Sequence, residues 1–205
     1  LMAAIEERIV DRKVLKLLRA MLRAGVMEDA AVTRSDAGTP QGGVISPLLA
    51  NVYLHRLDRC WQRRGRGVLV RYADDLVVMC RTRVEAEAAV AALGAVLAEL
   101  GLQPKDAKTR IVHLKEGGEG FDFLGFHHRW VRAHGRFRHV RFLARWPSRQ
   151  AMQQARDRIR ELTDRKRLLL PVEVIVQDLN TFLRGWASYF RYGNSAHHFD
   201  AINNH

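Results

Sequence analysis

The first half of the chain alternates between helical and strand-like patterns of apolar residues. Up to Ala24, apolar residues recur at intervals of three and four, which predicts two short helices with Asp11 as the cap of the second. A longer helix is predicted to open at Ser46–Pro47, because a hydroxyl followed by proline is typical of a helix start. Two short runs rich in β-branched residues, at 68–70 and 76–80, predict buried strands that pair as a hairpin.

The second half predicts long helices on either side of a strand-rich stretch. Thr82 and Glu85 have the spacing of a capping box at the start of a helix that ends at Gly101. Ser148 is predicted to cap a helix that reaches about Thr163, and a last long helix begins near Pro171. Three strands are expected between these helices, at 110–114, 121–126 and 136–142. The predicted class is therefore α+β.

Composition adds a strong and uneven positive charge. The 205 residues carry a formal net charge of +12, and the stretch from Arg129 to Leu170 contains 13 Lys/Arg against 3 Asp/Glu, a net of +10. A local excess of this kind favours an anionic partner, most simply nucleic acid, although a solvated charged face is the plainer alternative. Cys60 and Cys80 lack metal-ligand spacing and are expected to be reduced thiols of a cytoplasmic protein. No run of 18 apolar residues exists, so no membrane span is predicted.

Two adjacent carboxylates, Asp74 and Asp75, fall at the predicted hairpin tip. Adjacent carboxylates between apolar strands are costly to hold unless a cation neutralises them. Mg²⁺ accepts carboxylate oxygens readily, and phosphoryl-transfer sites use it for that purpose. The alternative is an ordinary turn, in which Asp is a favoured residue.

A Gly-rich loop, 38–43, lies just before the helix that opens at Ser46. Adjacent Gly42 and Gly43 let the backbone approach a ligand closely, and a helix start favours phosphate. Gln41 offers a donor and an acceptor to a sugar or a base edge. A plain connector is the alternative for this loop. Lys108 precedes the strand predicted at 110–114, and a solvated surface charge is the plainer interpretation of it.

The last two long helices carry basic residues off their apolar stripes. Arg156 and Arg160 recur at helical spacing in the first, and Arg184, Tyr189 and Arg191 lie off the aromatic stripe of the second. Such side chains are suited to phosphates and stacked bases. The aromatic stripe itself is interpreted as core.

Four motifs in this order resemble the palm of reverse transcriptases, and most closely the group II intron-encoded type. They are the loop Gly38-Thr39-Pro40-Gln41-Gly42-Gly43 with the helix start that follows, Tyr72-Ala73-Asp74-Asp75, Gly101-Leu102 with Lys108-Thr109, and Phe123-Leu124-Gly125-Phe126. The segment from Phe182 to Phe190 resembles the thumb, or maturase, region of that family. The resemblance covers nearly the whole chain.

The resemblance implies a partial right-hand palm, an antiparallel sheet with covering helices, over residues 1–128. A basic helical thumb or maturase region would follow over 129–205. It implies RNA-templated extension of a DNA primer with two Mg²⁺ ions, or Mn²⁺ in their place, and deoxynucleoside triphosphates as substrates. The template and the intron RNA would be its partners.

The resemblance also assigns roles to residues. Asp74 and Asp75 would bind the metals, and Lys108 would lie near the leaving pyrophosphate. The nucleotide and the template would contact Pro40, Gln41, Gly42 and Gly43, together with Tyr72 and Ala73. The primer would contact Phe123, Leu124, Gly125 and Phe126. Apart from the resemblance, Gly125 in the strand predicted at 121–126 is interpreted as leaving room for another backbone.

Departures from the family pattern suggest a piece of a longer protein. The palm of the family has a further metal-binding Asp on an earlier strand, and neither Asp11 nor Asp36 lies in a strand pattern. The fingers are also not recognisable. We therefore expect the 205 residues alone to be inactive in DNA synthesis yet to bind RNA. The alternative function is an RNA-binding maturase module that assists splicing, with a residual polymerase site.

Overall fold

The computed structural model describes residues 1–23, 26–28, 31–33, 45–64, 66–105 and 109–205. Contacts divide the chain into two units, Leu1–Thr109 and Arg110–His205. The predicted boundary at residue 128 falls inside a strand of the second unit. The functional division at 1–128 and 129–205 stays a prediction.

The described residues of the first unit form four helices and two small antiparallel strand pairs. Asp11 caps the second helix, as predicted, because its Oδ1 accepts the backbone N–H of Lys13 at 2.7 Å. Thr82 caps the fourth helix, because its hydroxyl accepts the backbone N–H of Glu85 at 3.1 Å. This confirms the Thr82 half of the predicted capping box. The elements are α1 (Met2–Glu6), α2 (Arg12–Arg23), β1 (Val26–Glu28), β2 (Ala31–Thr33), α3 (Ser46–Arg64), β3 (Val68–Tyr72), β4 (Asp75–Met79) and α4 (Arg83–Glu99).

One of two buried clusters of the first unit lies on one side of the β3–β4 hairpin. Leu57 and Trp61 of α3 pack with Leu93 and Val96 of α4, and the inward side chains of the hairpin pack against them. The prediction that the two strands are buried is wrong for their other face, since four of its side chains are 40–66% exposed. These four are Val68, Val70, Tyr72 and Met79, and we call them the open face.

The second unit is a three-stranded antiparallel sheet followed by helices. Its elements are β5 (Phe121–Phe123), β6 (Phe126–Arg132), a 3₁₀ turn (Gly135–Phe137), β7 (Arg141–Pro147), α5 (Arg149–Leu162), a second 3₁₀ turn (Arg165–Arg167), α6 (Val172–Phe190) and α7 (Ala196–Asn203). Ser148 caps α5 as predicted, by accepting the N–H of Ala151 at 3.1 Å. Met152, Ala155 and Ile202 form a buried cluster between α5 and α7, against which α6 also packs.

Three strand predictions in the second unit are wrong in detail. Residues 110–114 form no strand, and the strand expected at 136–142 begins only at Arg141. The segment 121–126 is two strands joined by a turn at Leu124–Gly125. Both turn residues have positive φ, 51° and 76°. Alternating apolar letters cannot distinguish one strand from a tight hairpin, which explains this error.

Candidate functional site

The turn between β3 and β4 brings both predicted metal ligands to one tip. Tyr72 pairs with Asp75 across the hairpin, so Ala73 and Asp74 alone form the connection. Ala73 has φ of 52°, a left-handed conformation that costs a side-chain-bearing residue roughly 1–2 kcal/mol. The hairpin prediction is thus confirmed, with a strained residue directly before Asp74.

Asp74 and Asp75 are both exposed, and neither carboxylate has a hydrogen-bond or ion-pair partner among the residues that the structure describes. Their oxygens are therefore available to an external cation, and hard divalent ions prefer such ligands. Within the same described ranges, no group of three or more His, Cys, Asp or Glu side chains could hold a metal. The tip thus offers a two-carboxylate set that needs further oxygen ligands.

Tyr72 lies beside the carboxylates on the open face of the hairpin. Its side chain is 66% exposed, and it pairs across the strands with Asp75. An exposed aromatic ring next to an acidic tip is suited to stacking against a planar ring. Ala73, the other residue predicted to lie beside the nucleotide, is half-buried in the turn.

Arg71 was not anticipated from the sequence as part of this site. Its guanidinium forks onto both carboxylate oxygens of Asp58 on α3, at 2.9 and 2.6 Å, and also donates to the Ala73 carbonyl at 2.8 Å. The hydrogen bond to Asp58 raises the pKa of Arg71 above its ordinary value. The missed signal is an arginine at an inward position of an apolar strand, because an inward charge requires a partner.

The predicted glycine-loop residues Pro40, Gln41, Gly42 and Gly43 lie outside the described residues, as does Lys108. Their roles remain predictions. The helix start that the loop precedes is confirmed, since α3 begins at Ser46.

The predicted primer-contacting residues form the β5–β6 turn of the second unit. The Leu124 carbonyl accepts the hydroxyl of Tyr189 at 2.9 Å, and the Gly125 carbonyl accepts the N–H of Ser148 at 2.8 Å. Among the described residues, a Cβ on Gly125 would meet only the Phe190 ring, at an ordinary 3.6 Å. Glycine is therefore needed for its positive φ rather than for room beside another backbone, which corrects that interpretation.

An open cleft of about 820 Å³ lies beside this turn within the second unit. Phe126, His128, Tyr189 and Tyr192 contribute rings to it, and Arg145 places its guanidinium 5.7 Å from the centre of the Phe126 ring. Burial lowers the pKa of His128, and the charge of Arg145 adds to that effect. Its imidazole is therefore neutral near pH 7 and can both donate and accept hydrogen bonds. The cleft suits an unpaired base with its phosphate.

The predicted RNA-binding residues have different surroundings. Arg160 pairs with Asp157 at 3.0 Å, and Arg191 lies 4.7 Å over the ring of Tyr192. Arg156 is half-buried and Arg184 exposed, and neither has an ion-pair partner in the described part of the chain. Tyr189 packs its ring 5.5 Å from Phe126.

Part of the basic charge is balanced inside the second unit. Glu116 accepts from Arg132 at 3.0 Å and from Arg141 at 2.9 Å, and these bonds lower the pKa of the Glu116 carboxyl. The charge count over residues 129–170 could not reveal this pairing, because Glu116 lies before that stretch.

Two family models match the chain. The model of the reverse transcriptase (RNA-dependent DNA polymerase) matches residues 2–128, and that of the group II intron maturase-specific domain matches residues 152–205. The first covers more than half of the chain. The chain therefore belongs to the reverse transcriptase family, of the group II intron type.

Relatives support the same placement. Protein YkfC of Escherichia coli (strain K12) is 34% identical over 185 residues, which span 74% of this chain and 47% of that protein. Group II intron-encoded protein LtrA of Lactococcus lactis subsp. cremoris is 46% identical over 59 residues, 29% of this chain and 10% of LtrA. An uncharacterized 91 kDa protein of a Schizosaccharomyces pombe cob intron is 41% identical over 58 residues, 28% of this chain and 7% of that protein. The chain thus spans less than half of the length of these relatives.

None of the described helices is both long enough and apolar enough to cross a bilayer.

Proposed function

We propose that this chain forms part of an RNA-directed DNA polymerase that extends a DNA primer on an RNA template. The observation that carries the proposal is the acidic tip, in a chain of the reverse transcriptase family. Asp74 in the two-residue turn and Asp75 at the start of β4 are exposed, and neither carboxylate has a partner among the described residues. Deoxynucleoside triphosphates would be the second substrate.

The donor set at this tip fits Mg²⁺, with Mn²⁺ as a substitute. Asp74 and Asp75 would hold it through carboxylate oxygens, together with ligands from outside the described set. Mg²⁺ in such a site lowers the pKa of a bound hydroxyl and neutralises charge on phosphate oxygens. The protein's part is to hold both carboxylates at one strained tip, with Tyr72 beside the reacting groups.

The remaining assignments follow the same proposal. Gln41 and its neighbouring glycines would line the nucleotide and template pocket. Lys108 would give a proton or a positive charge to the leaving pyrophosphate. The turn from Phe123 to Phe126 would contact the primer, as part of a palm over residues 1–128, and the thumb would follow over 129–205.

A second function, RNA binding in support of splicing, is favoured by the second unit. This unit carries 17 Lys/Arg and 9 Asp/Glu, a net of +8. Its cleft combines aromatic rings with Arg145, and residues 152–205 match the maturase-specific model. Both functions can reside in one protein, because the acidic tip and the cleft belong to different units.

The deciding experiment replaces Asp74 by Asn in the intact protein and measures primer extension on RNA. Loss of one metal-binding oxygen at the reacting phosphate is expected to lower the rate by about a thousandfold or more. RNA affinity should not change, because the basic region is untouched. Asp200→Asn is the matched control, an exposed carboxylate of α7 without a predicted role. Near-normal extension by Asp74→Asn would exclude the polymerase assignment of this tip.

A further inference from the structure

The side chain of Arg71 lies beneath the acidic tip and makes four hydrogen bonds there. Nε and Nη2 donate to the two carboxylate oxygens of Asp58, at 2.9 and 2.6 Å. Nη1 donates to Asn51 Oδ1 and to the Ala73 carbonyl, both at 2.8 Å. The Arg71 side chain is only 11% exposed. One guanidinium therefore joins helix α3 to the turn.

The contact with Ala73 bears directly on Asp74. The Ala73 carbonyl belongs to the peptide unit that also contains the N–H and the Cα of Asp74, and that unit is planar. A hydrogen bond that fixes the carbonyl direction thus fixes the plane in which the Cα of Asp74 lies. Ala73 itself has a left-handed φ of 52°, which an unsupported turn would tend to abandon.

The planar shape of the Arg71 guanidinium limits which other side chain could hold this turn. A guanidinium is planar, so a fork seated on Asp58 leaves Nη1 in one fixed direction, toward the tip. Asn51 and Asp58 are seven residues apart on α3, which places them on one face of the helix, two turns apart. A lysine ammonium opposite Asp58 is a point donor without this fork, and it could not reproduce the set of four bonds.

An ordinary structural ion pair is the alternative for these contacts. Partly buried ion pairs are weak evidence of stabilisation, since desolvation offsets much of their attraction. A simple pair between strand and helix would need only Arg71 and Asp58. Here half of the bonds go elsewhere, and one of them reaches the turn backbone next to the predicted metal ligand.

We propose that Arg71, held by Asp58 and Asn51, is a positioning residue that sets the direction of the Asp74 carboxylate. The proposal rests on the proposed polymerase function of Asp74. Arg71 touches neither substrate nor metal in this role. Its loss lets the turn relax, so the carboxylate is presented in several directions instead of one.

The test compares two variants with a control in the intact protein. Arg71→Lys keeps the charge opposite Asp58 but loses the fork. Asn51→Ala removes only one bond to Nη1, at an exposed position of α3. The control is Arg83→Lys, because Arg83 forms an exposed ion pair with Glu87 within helix α4, outside the hairpin.

Two measurements are made on each variant. Hydrogen exchange of the backbone amides of residues 73–76 reports how firmly the turn is held, without any need for activity. Primer extension over a Mg²⁺ titration gives kcat, the KM for primer–template and the Mg²⁺ concentration at half-maximal rate. A misplacement of about 1 Å can cost roughly a hundredfold in rate.

For Arg71→Lys we expect faster exchange in the turn and a kcat lower by about 10- to 100-fold. The half-maximal Mg²⁺ concentration should rise, and the KM for primer–template should stay unchanged. Asn51→Ala should show the same changes, smaller in size, and Arg83→Lys none of them. Normal kcat and Mg²⁺ dependence in Arg71→Lys, with only a lower melting temperature, would overturn the proposal in favour of a plain ion pair.

The remaining outcomes are also decisive. If Arg71→Lys does not fold, Asn51→Ala decides, and unchanged exchange and Mg²⁺ dependence in that variant would overturn the proposal. If the unmodified protein makes no DNA, the polymerase function fails first. Exchange in the turn then still shows whether Arg71 holds it.

Discussion

Tyr189 is the predicted RNA-binding residue whose surroundings most clearly suggest another role. Its hydroxyl donates to the Leu124 carbonyl at 2.9 Å, and its ring lies 5.5 Å from Phe126. Tyr189→Phe keeps the ring and removes only this bond. We therefore expect the variant to be less stable while its affinity for RNA stays normal.

The magnitude follows from one hydrogen bond at a half-exposed position. Such a bond contributes about 0.5–1.5 kcal/mol, and the 51% exposure of Tyr189 favours the lower half of that range. In a unit of this size, that loss corresponds to a fall in melting temperature of roughly 2–6 °C. Urea unfolding followed by tryptophan fluorescence is a suitable assay, because Trp130, Trp146 and Trp186 lie in the second unit.

Tyr192→Phe is the matched control. Tyr192 is 63% exposed, and within the described part of the chain its hydroxyl accepts a hydrogen bond only from the adjacent Arg191. Loss of this hydroxyl should therefore change the free energy of unfolding by less than about 0.5 kcal/mol. Equal stability of the two variants would refute the role of Tyr189 in holding the β5–β6 turn. A normal melting temperature with weaker RNA binding would restore it as an RNA ligand.

Three further predictions concern charge, protonation and packing. Neutralising Arg156 and Arg160 together should flatten the salt dependence of RNA binding, measured by filter binding between 50 and 200 mM salt, since fewer counterions are released; an unchanged slope would mean that these charges only face solvent. Because the pKa of His128 is lowered in the folded protein, the unfolded chain binds a proton at a higher pH than the folded protein does. The contribution of His128 to the free energy of unfolding is therefore fully present above pH 6.5, the ordinary pKa of histidine, and is lost as the pH falls below that value. His128→Gln should weaken this dependence between pH 7 and 5 in urea titrations, and equal slopes would contradict the prediction. Leu57→Ala, at a fully buried position, should lower the free energy of unfolding by about 2–5 kcal/mol, measured by thermal unfolding. Leu57→Met should lower it by less than about 1.5 kcal/mol.

Local signals in the sequence predicted local structure well. Asp11 and Ser148 cap the helices they were expected to cap, because a cap depends on the next three residues only. The hairpin at the acidic tip was also predicted correctly, since apolar runs flank a polar pair.

Features that depend on distant residues were missed. The fork of Arg71 on Asp58 joins positions 13 apart, and Glu116 meets Arg141 across 25. Val84 of α4 is apolar, yet its side chain is 75% exposed, and no neighbouring residue in the sequence indicates this. The position of a stripe is set by what packs against the helix, and periodicity alone does not contain that information.

The left-handed Ala73 has a consequence for anyone who wishes to make a protein of this kind more heat-resistant. Glycine adopts such a φ without strain, so a stability screen would favour Ala73→Gly at this turn. Glycine would also widen the range of backbone conformations available to the turn that carries Asp74. Under the proposed polymerase function, selection for heat resistance and selection for fast DNA synthesis would therefore favour different residues at position 73.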